Sequence, residues 1–343
     1  MFLVHKILPY VIPIILSLVP LIWFVGKGDV LINGVDTNFP LDPLIWFQRR
    51  FFVWNNVVNA GIDFSSSTAG LFFHFIQVVP YQLGLNLQTV QIMSLIFWFS
   101  LIILSSFTLA RVIFPKSLLV QILFVTLYCF NPYLFNTWEN VKVANLSLIA
   151  AIPAALAIII LLNDKRIDKR RAAFMSALVG IILSGSGINP SYFSVFFVIL
   201  IGFFISNIIN QFNFKSIIFL TKNLLLVSLV VILVNLFWIL PTANFVLRNI
   251  SPSGSLDKLG FTNWVNSLSE NTSLVNVMRV QGAWDWYAFD QISGLPLYIP
   301  YVLNYFYKLP FIIFSFLITA LVIMALIFRG KERRELYLFF GSP

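Results

Sequence analysis

Asp36 and Asp42 stand six residues apart in the stretch GVDTNFPLDP, beside Pro40 and Pro43. The chain continues through LIWFQRR to NAGIDF, which holds Asp63. Each proline restricts its own φ and steers the residue before it, Phe39 or Asp42, away from helix, so Asp36 is expected on a restrained, extended segment. A carboxylate held this way can take the proton of an acceptor hydroxyl or hold a divalent cation. Aspartates in D-T-N and D-P contexts also cap turns through their own backbone, and that role competes with chemistry at both positions. Arg49 and Arg50, just before Phe51 and Phe52, suit two tasks: snorkelling from an interface, or clamping a phosphate bidentately.

Other polar residues fall in similar breaks between apolar runs. NTWENVKVAN at 136–145 offers Glu139, Asn140, Lys142 and Asn145, and GSGINPSY at 185–192 offers Asn189 and Ser191. MRVQGAWDWYAFDQ supplies Arg279, Trp284, Asp285, Trp286 and Asp290. Aromatic rings alternating with carboxylates suit a carbohydrate, whose C–H faces stack on rings while its hydroxyls bond Asp, Asn and Arg. Tryptophans at that depth equally form an ordinary interfacial belt. His74, in GLFFHFIQVVPYQLGLN, reads as a binding residue or as a satisfied interfacial polar group. Cys129 is the single cysteine, which excludes an intramolecular disulfide and Cys₄ or Cys₂His₂ metal sites. No H-E-x-x-H, G-x-S-x-G, Walker A or G-x-G-x-x-G occurs, so protease, hydrolase and nucleotide readings lack a motif.

The elements that must position these residues are membrane helices. Hydrophobic residues make up 59% of the chain and charged residues 10%, far from the ~25% charged of soluble domains. Uncharged apolar runs give eight spans, 7–25, 89–110, 117–135, 143–162, 172–188, 191–210, 223–245 and 309–328, most near the ~20 residues that cross a bilayer core. Fourteen of the 22 lysines and arginines then fall in alternate loops with four acidic residues, net +10; the opposite loops carry eight basic and nine acidic residues, net −1. Basic loops are cytoplasmic. The N-terminus is therefore expected inside, and loops 26–88 and 246–308 outside. The basic excess is read as rims against anionic lipid, with no polynucleotide groove. No Asp, Glu, Lys or Arg lies in the spans as drawn, which disfavours an ion-coupled carrier.

Residues 70–86 are apolar, but counting them as a span would place the 164–171 basic cluster outside. With His74, Gln77, Pro80 and Gln82 they read instead as an interfacial or re-entrant helix. After RGKERRE at 329–335, LYLFFGSP reads as the start of a ninth span, so the chain is expected to be part of a longer protein.

Taken in order, V-D-T…D-P-L…W, N-x-G-x-D-F, the interfacial stretch, F-N-P-Y…N and G-I-N-P-S resemble the GT-C class of membrane glycosyltransferases. Within it they resemble the bacterial α-(1→3)-arabinofuranosyltransferase family and the broader YfhO-like membrane proteins, over roughly residues 1–245. The resemblance implies an all-α polytopic fold, a polyprenyl-phosphate sugar donor, a glycan or lipid acceptor, and inverting transfer at the outer face of the cell membrane. It carries Asp36 over as the base-like carboxylate. Many such enzymes have two adjacent acidic residues there; here Thr37 follows Asp36, and the need for a divalent cation stays open. Such a donor needs only a deprotonated hydroxyl and a stabilised phosphate, for which Asp36 and one of Arg49, Arg50 or Arg279 suffice. The alternative is a non-enzymatic lipid flippase or scaffold of the cell envelope.

Overall fold

The structure, a computed structural model, describes residues 11, 13–32, 39–56, 61–131, 133–134, 142–210, 214–249, 273–281, 284–290, 292–297 and 301–327. The chain divides into two compact units: 1–129, 140–248 and 332–343 in the first, 130–139 and 249–331 in the second. The first opens with a short apolar helical stretch, Pro13–Trp23, then α1 (Pro43–Arg49) and an antiparallel hairpin of β1 (Trp54–Asn55) and β2 (Ile62–Asp63). A 3-10 turn (Ser65–Gly70) leads into α2 (Leu71–Gln82), α3 (Leu87–Ile113), α4 (Leu118–Cys129), α5 (Val143–Asn163) and α6 (Lys169–Leu183). A second 3-10 turn (Ser184–Ile188) joins α6 to α7 (Pro190–Asn210), followed by α8 (Phe214–Val234) and α9 (Leu236–Asn249).

Among the described residues, five segments are long and apolar enough to cross a membrane: α3, α5, Lys169–Ile188, Pro190–Ile208 and α8. The protein is thus mostly helical, with several helices of membrane-spanning length. Expected spans 89–110, 143–162, 172–188 and 191–210 coincide with four of them. The expected span 223–245 does not. The helix begins at Phe214 and so contains Lys215 and Lys222, and the chain breaks at Asn235 before α9. The expected span stops short of these two lysines, and the helix includes them. They are seven residues apart and both exposed on one face, Lys215 in the first turn and Lys222 two turns further in, where long aliphatic stems allow a charge to reach water. Within 117–135 the described helix is the 12 residues of α4, and 309–328 is interrupted at Phe316.

Local sequence explains most boundaries. Asp42 caps α1 by accepting from Ile45 N at 3.0 Å, with Pro43 in the first turn. Asn86 caps α3 and Asp168 caps α6 in the same way. Gly84, at φ +87°, closes α2, with Leu85 N bonded to Pro80 O; only a residue tolerant of left-handed backbone fits that reversal. Helix α5 is the hub, packing against α3, α6, α7 and α8. Its buried alanines 150, 151, 155 and 157 let neighbouring backbones approach closely. Pro153 lacks the N–H that would bond Ile149 O, and the Tyr128 hydroxyl of α4 donates to that carbonyl at 2.8 Å.

The α8–α9 break is built around Asn235, fully buried, whose amide donates to Val231 O (2.8 Å) and Gly180 O (3.0 Å). Its oxygen accepts from Trp238 Nε1 at 2.8 Å, and the Trp238 ring lies over Gly187.

The second unit contains α10 (Leu274–Met278), a 3-10 turn (Trp284–Tyr287), α11 (Val302–Tyr307), α12 (Leu309–Ser315) and α13 (Leu317–Ile327). Its core is Trp286, Val302 and Tyr305, flanked by Tyr287, Phe289 and Phe306.

Candidate functional site

Two glutamines set the path of the chain approaching Asp36. Gln91, fully buried in the first turns of α3, accepts from Ile32 N and donates to Ile32 O, both at 2.8 Å. Gln88 donates to Gly28 O. The chain is therefore pinned to α3 at Ile32, four residues before Asp36. Asp36 itself and Glu139 lie outside the described residues.

Beyond that segment, α1 and α2 pack together and enclose a polar cluster in an aromatic shell. Arg50 is buried; its guanidinium lies over the rings of Trp46 (5.0 Å) and Phe64 (5.3 Å) and donates to Ser67 O at 3.3 Å. His74 and Gln77 are completely buried, one helical turn apart, with His74 Nδ1 and Gln77 Oε1 at 2.8 Å. An amide oxygen only accepts, so in this arrangement Nδ1 carries the proton and Nε2 a lone pair. The His74 and Trp46 rings meet near a right angle, with centroids 6.2 Å apart.

Four polar atoms of this cluster are buried without a hydrogen-bond partner among the described residues: Trp46 Nε1, Arg50 Nε, His74 Nε2 and Gln77 Nε2. Three are donors and one, His74 Nε2, is an acceptor, so the cluster is short of oxygen atoms that accept. Among the described residues no Asp or Glu forms an ion pair with Arg50, and no group of three or more His, Cys, Asp or Glu is arranged for a metal ion. Burial, and then the Arg50 charge, push the His74 pKa from 6.5 down to about 3, against the raising effect of Gln77; the imidazole is neutral at ordinary pH. Burial and the neighbouring Arg49 lower Arg50 to about 10, so it stays charged.

Beside this cluster runs an apolar groove of about 280 Å³, lined by Phe47 of α1, Phe72 and Phe75 of α2, Ile181 of α6, Val234 of α8 and Phe237 of α9. Arg50 follows Phe47 by one helical turn, its N–H bonded to Phe47 O.

The remaining sequence-chosen residues are dispersed. Asp42 serves as the α1 cap. Asp63 accepts from Ser65 N (2.9 Å) and Ser65 Oγ (3.1 Å), opening the 3-10 turn that packs against Ser184–Ile188. Asn189 accepts from Ser191 N at 3.2 Å at the start of α7, and Lys142 is the residue before α5. Arg49 ends α1. Arg279, in the second unit, is held by Ser315 Oγ and Tyr305 O, each at 2.7 Å, under the Tyr305 ring. Trp284 and Asp285 open the 3-10 turn of that unit. Sequence reasoning missed Trp46, Gln77 and Gln91 as partners. The signal for Gln77 and Gln91 was present, since an amide inside an apolar run must find a partner when buried.

No protein-family profile matches the chain, and no curated protein or solved structure matches it.

Proposed function

We propose that the chain is a GT-C-type membrane glycosyltransferase of the cell envelope, related to the arabinofuranosyltransferase and YfhO-like proteins. It moves a sugar from a polyprenyl-phosphate donor to a glycan or lipid acceptor. In this reading eight spans cross the membrane, the short apolar helices completing the five long ones. The basic loops are cytoplasmic, and loops 26–88 and 246–308 face outward. The supporting observation is the apolar groove running to within one helical turn of a buried arginine that lacks a carboxylate partner among the described residues. An isoprenoid tail fits the groove, and its phosphate supplies the accepting oxygens that Arg50, Trp46 and Gln77 lack. Asp36, downstream of the pinned Ile32, takes the proton of the acceptor hydroxyl, and α2 lies along the outer boundary. At 12 residues, about 18 Å, α2 is short of the ~30 Å core.

Transfer of labelled sugar from a polyprenyl-phosphate donor, measured in membranes carrying the protein, tests this. Asp36→Asn removes the base and lowers turnover by about 10²–10⁴. Asp42→Asn, which keeps a cap, leaves it nearly intact. Near-normal transfer by Asp36→Asn would leave the flippase or scaffold reading, which the enclosure of Arg50 and His74 favours.

A further inference from the structure

At the end of the first unit that carries Asp164–Arg171, far along the sequence from Arg50 and independent of it, two cavities meet. A crevice of about 580 Å³ has Asp164, Lys165, Arg166 and Lys215 in its lining, three basic side chains against one carboxylate. A neighbouring groove of about 280 Å³ is almost wholly apolar and runs between α3, α4, α5 and α7. The two share Ile113, Ile160 and Phe203 in their walls, so the polar crevice and the apolar groove lie side by side. Arg166 also lines a third cavity, with Arg111.

The backbone gives a second, separate observation. The turn leaving α5 closes with Arg166 N bonded to Leu161 O (2.8 Å) and Lys165 N to Leu162 O (3.1 Å). That geometry places the residue after the cap in the left-handed region, a position glycine usually fills, yet here it is Lys165, at φ +58°. Lys165 thus holds an unfavourable backbone position and also lines the basic crevice.

We propose that crevice and groove form one binding site for an anionic phospholipid. The headgroup phosphate sits at Lys165 and Arg166, and one acyl chain lies in the groove past Gly202. Shape decides for a lipid over a free anion, because a soluble phosphate would use the crevice and leave the apolar extension empty. An added Cβ at Gly202 meets nothing within 4 Å, so a side chain there leaves the backbone into open space.

The full chain, purified and delipidated in mild detergent, is titrated with phosphatidylglycerol, phosphatidylcholine or inorganic phosphate. Bound lipid is read by native mass spectrometry and thermal shift. Phosphatidylglycerol is expected to bind and raise the melting temperature, and phosphatidylcholine to do so at least tenfold more weakly. Lys165→Gly combined with Arg166→Gln should weaken phosphatidylglycerol about tenfold or more. Lys165→Gly alone should melt no lower than the parent without lipid, which separates lost binding from lost folding. Gly202→Phe should also weaken phosphatidylglycerol, through the chain and with the charges untouched. Equal response to phosphatidylcholine, an equal shift with inorganic phosphate, or unchanged phosphatidylglycerol binding in both the charge and the Gly202→Phe variants would overturn the site.

Discussion

His74→Gln should abolish a component of acid sensitivity that the buried cluster imposes on the fold. In the folded chain the imidazole takes a proton only near pH 3, whereas its ordinary value is 6.5. Between those values the unfolded chain binds more protons than the folded one, so stability falls as pH falls; above about 6.5 the contribution is complete. From pH 7 to pH 5 the unfolded imidazole becomes largely protonated and the folded one does not, a loss of about 2 kcal/mol. The cause is burial first and the Arg50 charge second. Reversible unfolding in mixed micelles at pH 7 and pH 5 measures it, for the parent and for His74→Gln. The variant keeps an amide able to meet Gln77 but has nothing to titrate in this range. The chain has two histidines, and His5 is common to both proteins, as are the carboxylates, so their effects cancel in the comparison. Equal losses in parent and variant would refute the enclosure of His74.

Tyr128→Phe should cost about 1–2 kcal/mol by leaving Ile149 O, already deprived of a donor by Pro153, without a partner; equilibrium unfolding of the variant against the parent checks this. Gly187→Ala should destabilise by about 1–3 kcal/mol or more. The new Cβ would lie 2.5 Å from the Trp238 ring, which its bond to Asn235 and the edge of Phe193 hold in place, and Gly187→Ala with Trp238→Phe is the double variant to compare. Asp42→Ala should lose about 1 kcal/mol as the α1 cap goes, while Asp42→Asn loses little; thermal melts of the two distinguish a capping aspartate from a catalytic one.

The sequence by itself determined the helical class and most of the long helices, because an apolar run near 20 residues has one low-energy form in hydrocarbon, with every backbone group bonded within the segment. It also determined local punctuation: Asp42 before Pro43, Asn86 and Asp168 before their helices, and Gly84 after α2 all act through neighbours within four residues. The α8–α9 break was not legible. Asn235 stops the helix through Gly180, 55 residues away, and hydropathy carries no record of such a contact. The lysines of α8 escaped for a related reason, since a charge on an exposed helix face is tolerated in three dimensions although a linear scan treats it as a boundary. The candidate site divides the same way. Residue type alone singled out Arg50 and His74, but only packing decided that they share one enclosed cluster with Trp46 and Gln77, while Arg279 is occupied by Ser315 and Tyr305 in the second unit. Burial of that kind depends on which helices surround a side chain, and that is fixed by tertiary contact alone.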